Sequence, residues 1–294
     1  MTAAPTATIV VPTYARPAML RRCLDGIARL ESASFTFEVV VVDDGGPEPI
    51  DAMVAAYADR LDLRLIRQSR GGPAAARNAG VAAARGRYLA FIDDDCAPEP
   101  RWLAELLLEF RRDDRRLLGG RVENALVDNL YSTASEHIAR FVYEYNRTAA
   151  AREPFFTANN FALAADLFRA VGGFTTSIPS ATAEDKEFCD RSRAHGIALA
   201  HVPAAVVYHA HHLTFGQFLR QHFNYGRGIL AFRLSRRRRA GGALVPEPAR
   251  FYAGLLLSPM LGSSTASRWR LTALLALAQL ATLAGALREA ISRP

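Results

Sequence analysis

Three short strand-forming runs break off into polar residues, and this pattern constrains the fold more than any other feature of the chain. Residues 8–11 are mostly β-branched and end at Pro12, Thr13 and Tyr14. Residues 38–42 form a valine run, as in a strand buried on both faces, and stop at Asp43, Asp44, Gly45 and Gly46. Residues 88–92 run into Asp93, Asp94 and Asp95. Between them, residues 17–30, 51–60 and 73–84 read as helices and 63–67 as a further strand. Strands alternating with helices predict a mostly parallel sheet with flanking helices. Ligands bind such sheets outside the carboxyl ends of the strands, so the three polar ends converge on one edge.

From about Leu117 the pattern is mixed. Residues 155–164 have strand character. Residues 166–171 form a short helix closed by Gly172 and Gly173. Residues 183–194 read as a helix opening on Glu184, Asp185 and Glu187, residues 204–209 as a strand, and residues 214–232 as an amphipathic helix. The tail differs: Arg236–Arg239 is a basic run, and residues 271–287 are almost wholly apolar between Arg268, Arg270 and Arg288. A spanning helix needs about 17–25 apolar residues, so this segment meets the lower limit. It reads either as a membrane contact or as a buried core helix. The expected division is a catalytic domain over 1–232, with halves 1–116 and 117–232, and a basic, apolar helical tail over 233–294.

Composition narrows the partners. Half of the 294 residues are hydrophobic and 22% are charged, which excludes a disordered chain. The formal net charge is +7, carried almost wholly by arginine, since Lys186 is the only lysine. Such a balance suits a phosphate-bearing ligand or an anionic membrane surface. Nucleic acid is not expected, because no nucleic-acid-binding motif accompanies the charge. Cys23, Cys96 and Cys189 are scattered and odd in number, which argues against a disulfide framework or a zinc site. Residues 1–6 lack the apolar core of a signal peptide, and none is expected.

Three adjacent carboxylates repel one another unless a cation or a donor partners them. If the strand continues through them, Asp93 and Asp95 share one face and Asp94 points away. Oxygen ligands so spaced suit magnesium or manganese bridging two phosphates. The plainer reading is a solvated acidic turn.

In their order, several segments resemble a family 2 glycosyltransferase of GT-A fold, the nucleotide-diphospho-sugar transferase type. They are Val10-Val11-Pro12-Thr13-Tyr14, Val41-Val42-Asp43-Asp44-Gly45, Gly71-Gly72-Pro73, Ala76-Arg77-Asn78-Ala79-Gly80, Phe91-Ile92-Asp93-Asp94-Asp95, Asn159-Asn160-Phe161-Ala162, Gly172-Gly173-Phe174 and Glu184-Asp185. The match spans roughly the first 230 residues. The resemblance implies an inverting hexosyltransferase that uses a nucleotide-diphosphate sugar, a UDP-sugar first, with Mg or Mn. Pro12, Thr13, Tyr14, Asp44, Arg77, Asn78, Asp93 and Asp94 would line the nucleotide pocket. Asp95 would bind the metal, with His209 as a second ligand, although spacing leaves His211 as an equal choice. Asn159, Asn160 and Glu184 would lie on the acceptor side, and Asp185 would be the base. Such a base takes the proton from the acceptor hydroxyl, and a cation stabilises the departing diphosphate.

Each assignment has a plainer rival. Asp44 before Gly45 is a common turn pair. Asn78 reads equally as helix surface, Asn159 and Asn160 as partners of buried backbone, and Glu184 as a helix-start acid. A lone histidine is more often structural. The resemblance further implies cell-envelope or polysaccharide synthesis on a lipid-linked or polysaccharide acceptor, at the cytoplasmic face of the cell membrane. Two other functions fit less well: a silent nucleotide-sugar-binding or membrane scaffold protein, and a nucleotidyltransferase. The latter lacks the expected glycine-rich, lysine-bearing loop after the first strand.

Overall fold

The structure is a computed structural model that describes residues 4–148, 155–178, 183–241, 246–261 and 268–292. In chain order the strands are β1 (Ala7–Thr13), β2 (Phe37–Asp43), β3 (Leu63–Arg67), β4 (Tyr88–Phe91), β5 (Cys96–Pro98), β6 (Arg116–Asn124), β7 (Phe161–Ala164) and β8 (Ala198–His209). The helices are α1 (Pro17–Ile27), α2 (Asp51–Ala55), α3 (Pro73–Ala83), α4 (Trp102–Arg112), α5 (Leu130–Thr148), α6 (Ala165–Val171), α7 (Glu184–Ala194), α8 (Phe215–Ala240), α9 (Ala249–Leu257) and α10 (Arg268–Ser292). Contacts divide the chain into two compact units: residues 1–123, 155–176 and 184–210, and residues 124–154, 177–183 and 211–294.

The first unit holds the eight-stranded sheet, in the order β3-β2-β1-β4-β7-β6-β8-β5. The pairs β2–β3, β1–β2 and β1–β4 are parallel, while β4–β7, β6–β7 and β5–β8 are antiparallel. The sheet is therefore mixed, and it keeps the expected parallel half with helices on both faces. Alternation along β2 explains why its valine run is unbroken. Val39 and Val41 face a core shared with α1 and α4, including Leu20, Leu24, Trp102 and Leu106. Val40 and Val42 face the other way, onto Ala76 of α3. Each fully buried valine of this kind stabilises the fold by about 1.5–3 kcal/mol relative to an exposed one.

Glu38 interrupts the apolar run and is also buried. It accepts hydrogen bonds from Thr8 Oγ1 at 2.7 Å, from the Arg85 backbone N–H at 2.6 Å and from Arg85 Nε at 2.6 Å. These bonds and the Arg85 charge outweigh its burial and hold its pKa below the usual carboxylate value. The network pins the amino end of β2, away from the polar carboxyl ends.

Two elements differ from the sequence expectation. Strand character over 155–164 is realised only in β7, because the Asn160 N–H turns back onto the Thr157 carbonyl at 3.0 Å. The boundary expected at 232 falls inside α8, which continues to Ala240 and takes in the basic run. Basic residues in a last helical turn interact favourably with the helix dipole.

The second unit is helical among its described residues. Thr214 and Gln217 cap α8 reciprocally, which fixes its start. Ala134, Leu213, Phe218, Leu274 and Ala278 form one core cluster there. Where α8 meets α10, side chains are excluded. A Cβ on Gly226 would fall 1.8 Å from the Thr282 carbonyl oxygen, and one on Gly285 would fall 1.8 Å from that of Phe223.

Candidate active site

The carboxyl ends of β1, β2 and β4 carry the polar groups that the sequence sets there. The three acids after β4 lie in a turn closed by the Cys96 N–H on the Asp93 carbonyl at 3.0 Å, not in a strand. Strand alternation therefore does not govern them, and the expected pairing of Asp93 with Asp95 on one face gives way to another division. Asp94 and Asp95 meet Arg16, at 2.5 Å and 2.8 Å, while Asp93 meets Arg77 at 2.7 Å.

Asp94 is fully buried and accepts a hydrogen bond from Thr13 Oγ1 at 2.7 Å. Burial pushes its carboxyl up to about 7 despite the pull of Arg16, and the charge of Asp95 adds to the rise. Arg16 is the residue that sequence reasoning missed. Ala15 before it has φ of +53°, a left-handed conformation rare for a residue with a Cβ, and this turns the chain so that Arg16 lies against the acids. The available signal was the first arginine after the polar end of β1, at the start of α1.

His209 is brought to Asp95 by register. Antiparallel pairing sets Cys96 of β5 opposite His209 at the end of β8, so its Nε2 lies 3.3 Å from Asp95 Oδ1. Burial alone would lower the His209 pKa. The hydrogen bond and charge of Asp95 outweigh it, and the value is raised. A carboxylate beside an imidazole is a donor set that fits a divalent cation, with the nitrogen suiting manganese better than magnesium.

On the other side, buried Arg77 ties two distant segments together. It bonds Asp93 and also Glu184 at 3.0 Å, across 107 residues of sequence. Arg77 is buried and holds both acids in position. Asp185, next along α7, accepts the Lys186 N–H at 2.6 Å and a backbone hydrogen bond from Ala158. Burial, with the Glu184 charge adding to it, pushes Asp185 up to about 7 against the pull of those bonds and of Arg77. A carboxylate poised near neutrality is a competent general base.

Two further residues have their polar groups committed to the scaffold. Asn78 makes a two-way clamp with Phe174, donating to its carbonyl at 2.8 Å and accepting its N–H at 2.9 Å. It braces the Gly172-Gly173-Phe174 turn. Asn160 is 1% exposed and joins Trp102 Nε1, the Arg121 carbonyl and the Ala205 carbonyl at 2.8–3.0 Å. It cannot present its amide to an acceptor. Asn159 accepts from Thr157 Oγ1 at 2.7 Å. Asp44 accepts from Gln68 Nε2 and from the Gly71 and Gly72 N–H groups at 2.7–2.8 Å. A carboxylate has about four acceptor positions, so roughly one is left for a ligand. Beside Asp44 a cavity of about 250 Å³ opens among Asp43, Gly45, Gly46, Arg67 and Gln68. Tyr14 is half-buried under the Arg70 guanidinium, 4.2 Å from its ring centroid.

The profile of glycosyl transferase family 2 matches residues 8–172, more than half of the chain. The chain belongs to glycosyl transferase family 2. Its sheet and flanking helices have the GT-A arrangement, and as a family 2 member it is a glycosyltransferase. It is 26% identical over 227 residues to the glycosyltransferase AglE of Haloferax volcanii, a match covering 76% of this chain and 73% of that one. It is 30% identical over 226 residues to the pre-mycofactocin glycosyltransferase of Mycobacterium tuberculosis, covering 74% of this chain and only 46% of that longer protein. The fold is similar to that of the mannosyltransferase PcManGT from Pyrobaculum calidifontis, solved in complex with GDP-Man and Mn2+. That likeness has a TM-score of 0.69 at 19% identity and covers 100% of this chain and 89% of the other.

Proposed function

We propose that this family 2 member transfers a sugar from a nucleotide-diphosphate sugar to an acceptor hydroxyl with inversion, assisted by Mg or Mn. The observation that carries the reading is the Arg77 bridge, which draws Asp93 after β4 and Glu184 of α7 to one point and leaves Asp185 beside it. In this reading Asp95 and His209 hold the metal, which when bound stabilises the leaving diphosphate as a Lewis acid. Thr13 and Asp94 form the floor of the nucleotide site, and Tyr14 with Arg70 offers a stacking surface for the base. Asp44 steadies the glycine loop and keeps about one acceptor position for the base. Asp185 takes the proton of the acceptor hydroxyl as that oxygen attacks the anomeric carbon.

UDP-sugars are the donors expected from sequence, and GDP-Man is the donor bound by the structural neighbour, so both classes are the ones to test. The acceptor is read as lipid-linked or polysaccharide, met at the cytoplasmic face of a membrane. The test is turnover of these donors by Asp185→Asn. Loss of transfer with donor binding retained supports the reading, whereas unchanged turnover removes Asp185 from the base role.

A further inference from the structure

Helix α10 has two faces, and only one is spent on the fold. At about 100° per residue, its buried residues Leu274, Leu275, Ala278, Gly285 and Glu289 share one side. The opposite side carries Trp269, Leu277, Leu280, Leu283, Leu287 and Ile291 within roughly 120° of arc, and all six are exposed, Trp269 by 77% and Leu280 by 62%. No charged residue falls inside this stripe. Arg270 and Arg288 stand about five turns apart on one border of it.

We propose that α10 lies flat in the surface of an anionic bilayer, with this stripe in the acyl boundary and its arginine border at the headgroups. A helix with a wide apolar face and basic edges binds membranes in this way. Among the described residues α10 is also the one helix long and apolar enough to cross a bilayer, but its packing argues against crossing. The Gly226 and Gly285 contacts lock it to α8, and buried Glu289 pairs with Arg227 of α8 at 3.1 Å. Crossing would carry α8, with Arg220, Arg227, Arg233 and the run Arg236–Arg239, into hydrocarbon, where unshielded charge is strongly disfavoured. This deepens the membrane part of the proposed function and is independent of the sugar-transfer site, since no residue of the stripe belongs to that site.

The experiment uses the full chain with phosphatidylcholine vesicles, with and without about 30% phosphatidylglycerol. The only other tryptophan, Trp102, is already fully buried, so any change in emission reports Trp269. The expected result is cosedimentation with the anionic vesicles, a blue shift, quenching by brominated lipid and full release by alkaline carbonate. The double variant Leu280→Glu, Leu287→Glu should bind about tenfold or more weakly, with unchanged melting temperature and unchanged donor hydrolysis. Retention after carbonate would mean a spanning helix and overturn the proposal. So would folded protein that ignores both vesicle types, or a concentration-dependent dimer that hides Trp269 without lipid.

Discussion

Both ends of the sheet in the first unit bury carboxylates, and they treat them in opposite ways. At the amino end of β2, Glu38 receives three short hydrogen bonds, and its pKa is drawn down. At the carboxyl end, Asp94 is pushed up to about 7, and so is Asp185 at the start of α7. Burial raises all three, so what separates them is the supply of donors. A fully satisfied acid belongs to the scaffold. An acid whose burial is not offset is held ready for a cation or a proton.

The largest expected effect tests that division at the site. Asp185→Asn should lower kcat by roughly 10²–10⁴, measured by donor turnover, with little change in melting temperature at pH 4. Glu38→Ala should do the reverse. It strands Thr8 and the Arg85 N–H, costs about 1–3 kcal/mol in urea unfolding, and leaves kcat unchanged at a permissive temperature. Asn160→Ala should behave like Glu38→Ala, since Trp102 Nε1 and two carbonyls lose their partner; a loss of about 1–3 kcal/mol is expected, with donor KM unaltered.

The smallest effect is a contrast in pH dependence. The lowered pKa of Glu38 contributes stability above its unfolded value, near 4.3, and this is lost as pH falls through the folded one. The raised pKa of Asp185 acts with the opposite sign: its stability is full below the unfolded value, near 3.9, and is lost as pH rises from there through about 7. Asp185→Asn should therefore gain more in melting temperature at pH 8 than at pH 4, and Glu38→Gln should lose less at pH 4 than at pH 7. Equal shifts at both pH values would dissolve the distinction. In the wild type, transfer should rise with pH through about 7 as Asp185 ionises.

Much of this arrangement was legible in the sequence, because the strands of the parallel half are set by local pattern. The valine run of β2 and the polar breaks after β1, β2 and β4 were enough to predict one functional edge. Asp185 and Asp95 were named from motif. What could not be read was where each polar group finds its partner. Asn78 and Asn160 stand in motif positions, yet their amides go to backbone that only the folded chain brings near. Arg77 turns inward because Asp93, 16 residues on, and Glu184, 107 residues on, close around it. Arg16 escaped notice because its approach to the acids depends on the backbone turn at Ala15. The exposed stripe of α10 was likewise hidden, since an apolar run in sequence does not say which of its faces is covered.

The central claim is that Asp95 and His209 form a cation-dependent donor site at the carboxyl end of the sheet. It is tested most directly by titrating GDP-Man and UDP-sugars into the wild type and Asp95→Asn, with and without Mn2+, and following the melting temperature. A ligand that binds the native state raises that temperature in proportion to its occupancy. The account predicts a rise for at least one nucleotide sugar that requires Mn2+ in the wild type and vanishes in Asp95→Asn. An equal rise in both proteins, or one indifferent to Mn2+, would contradict it.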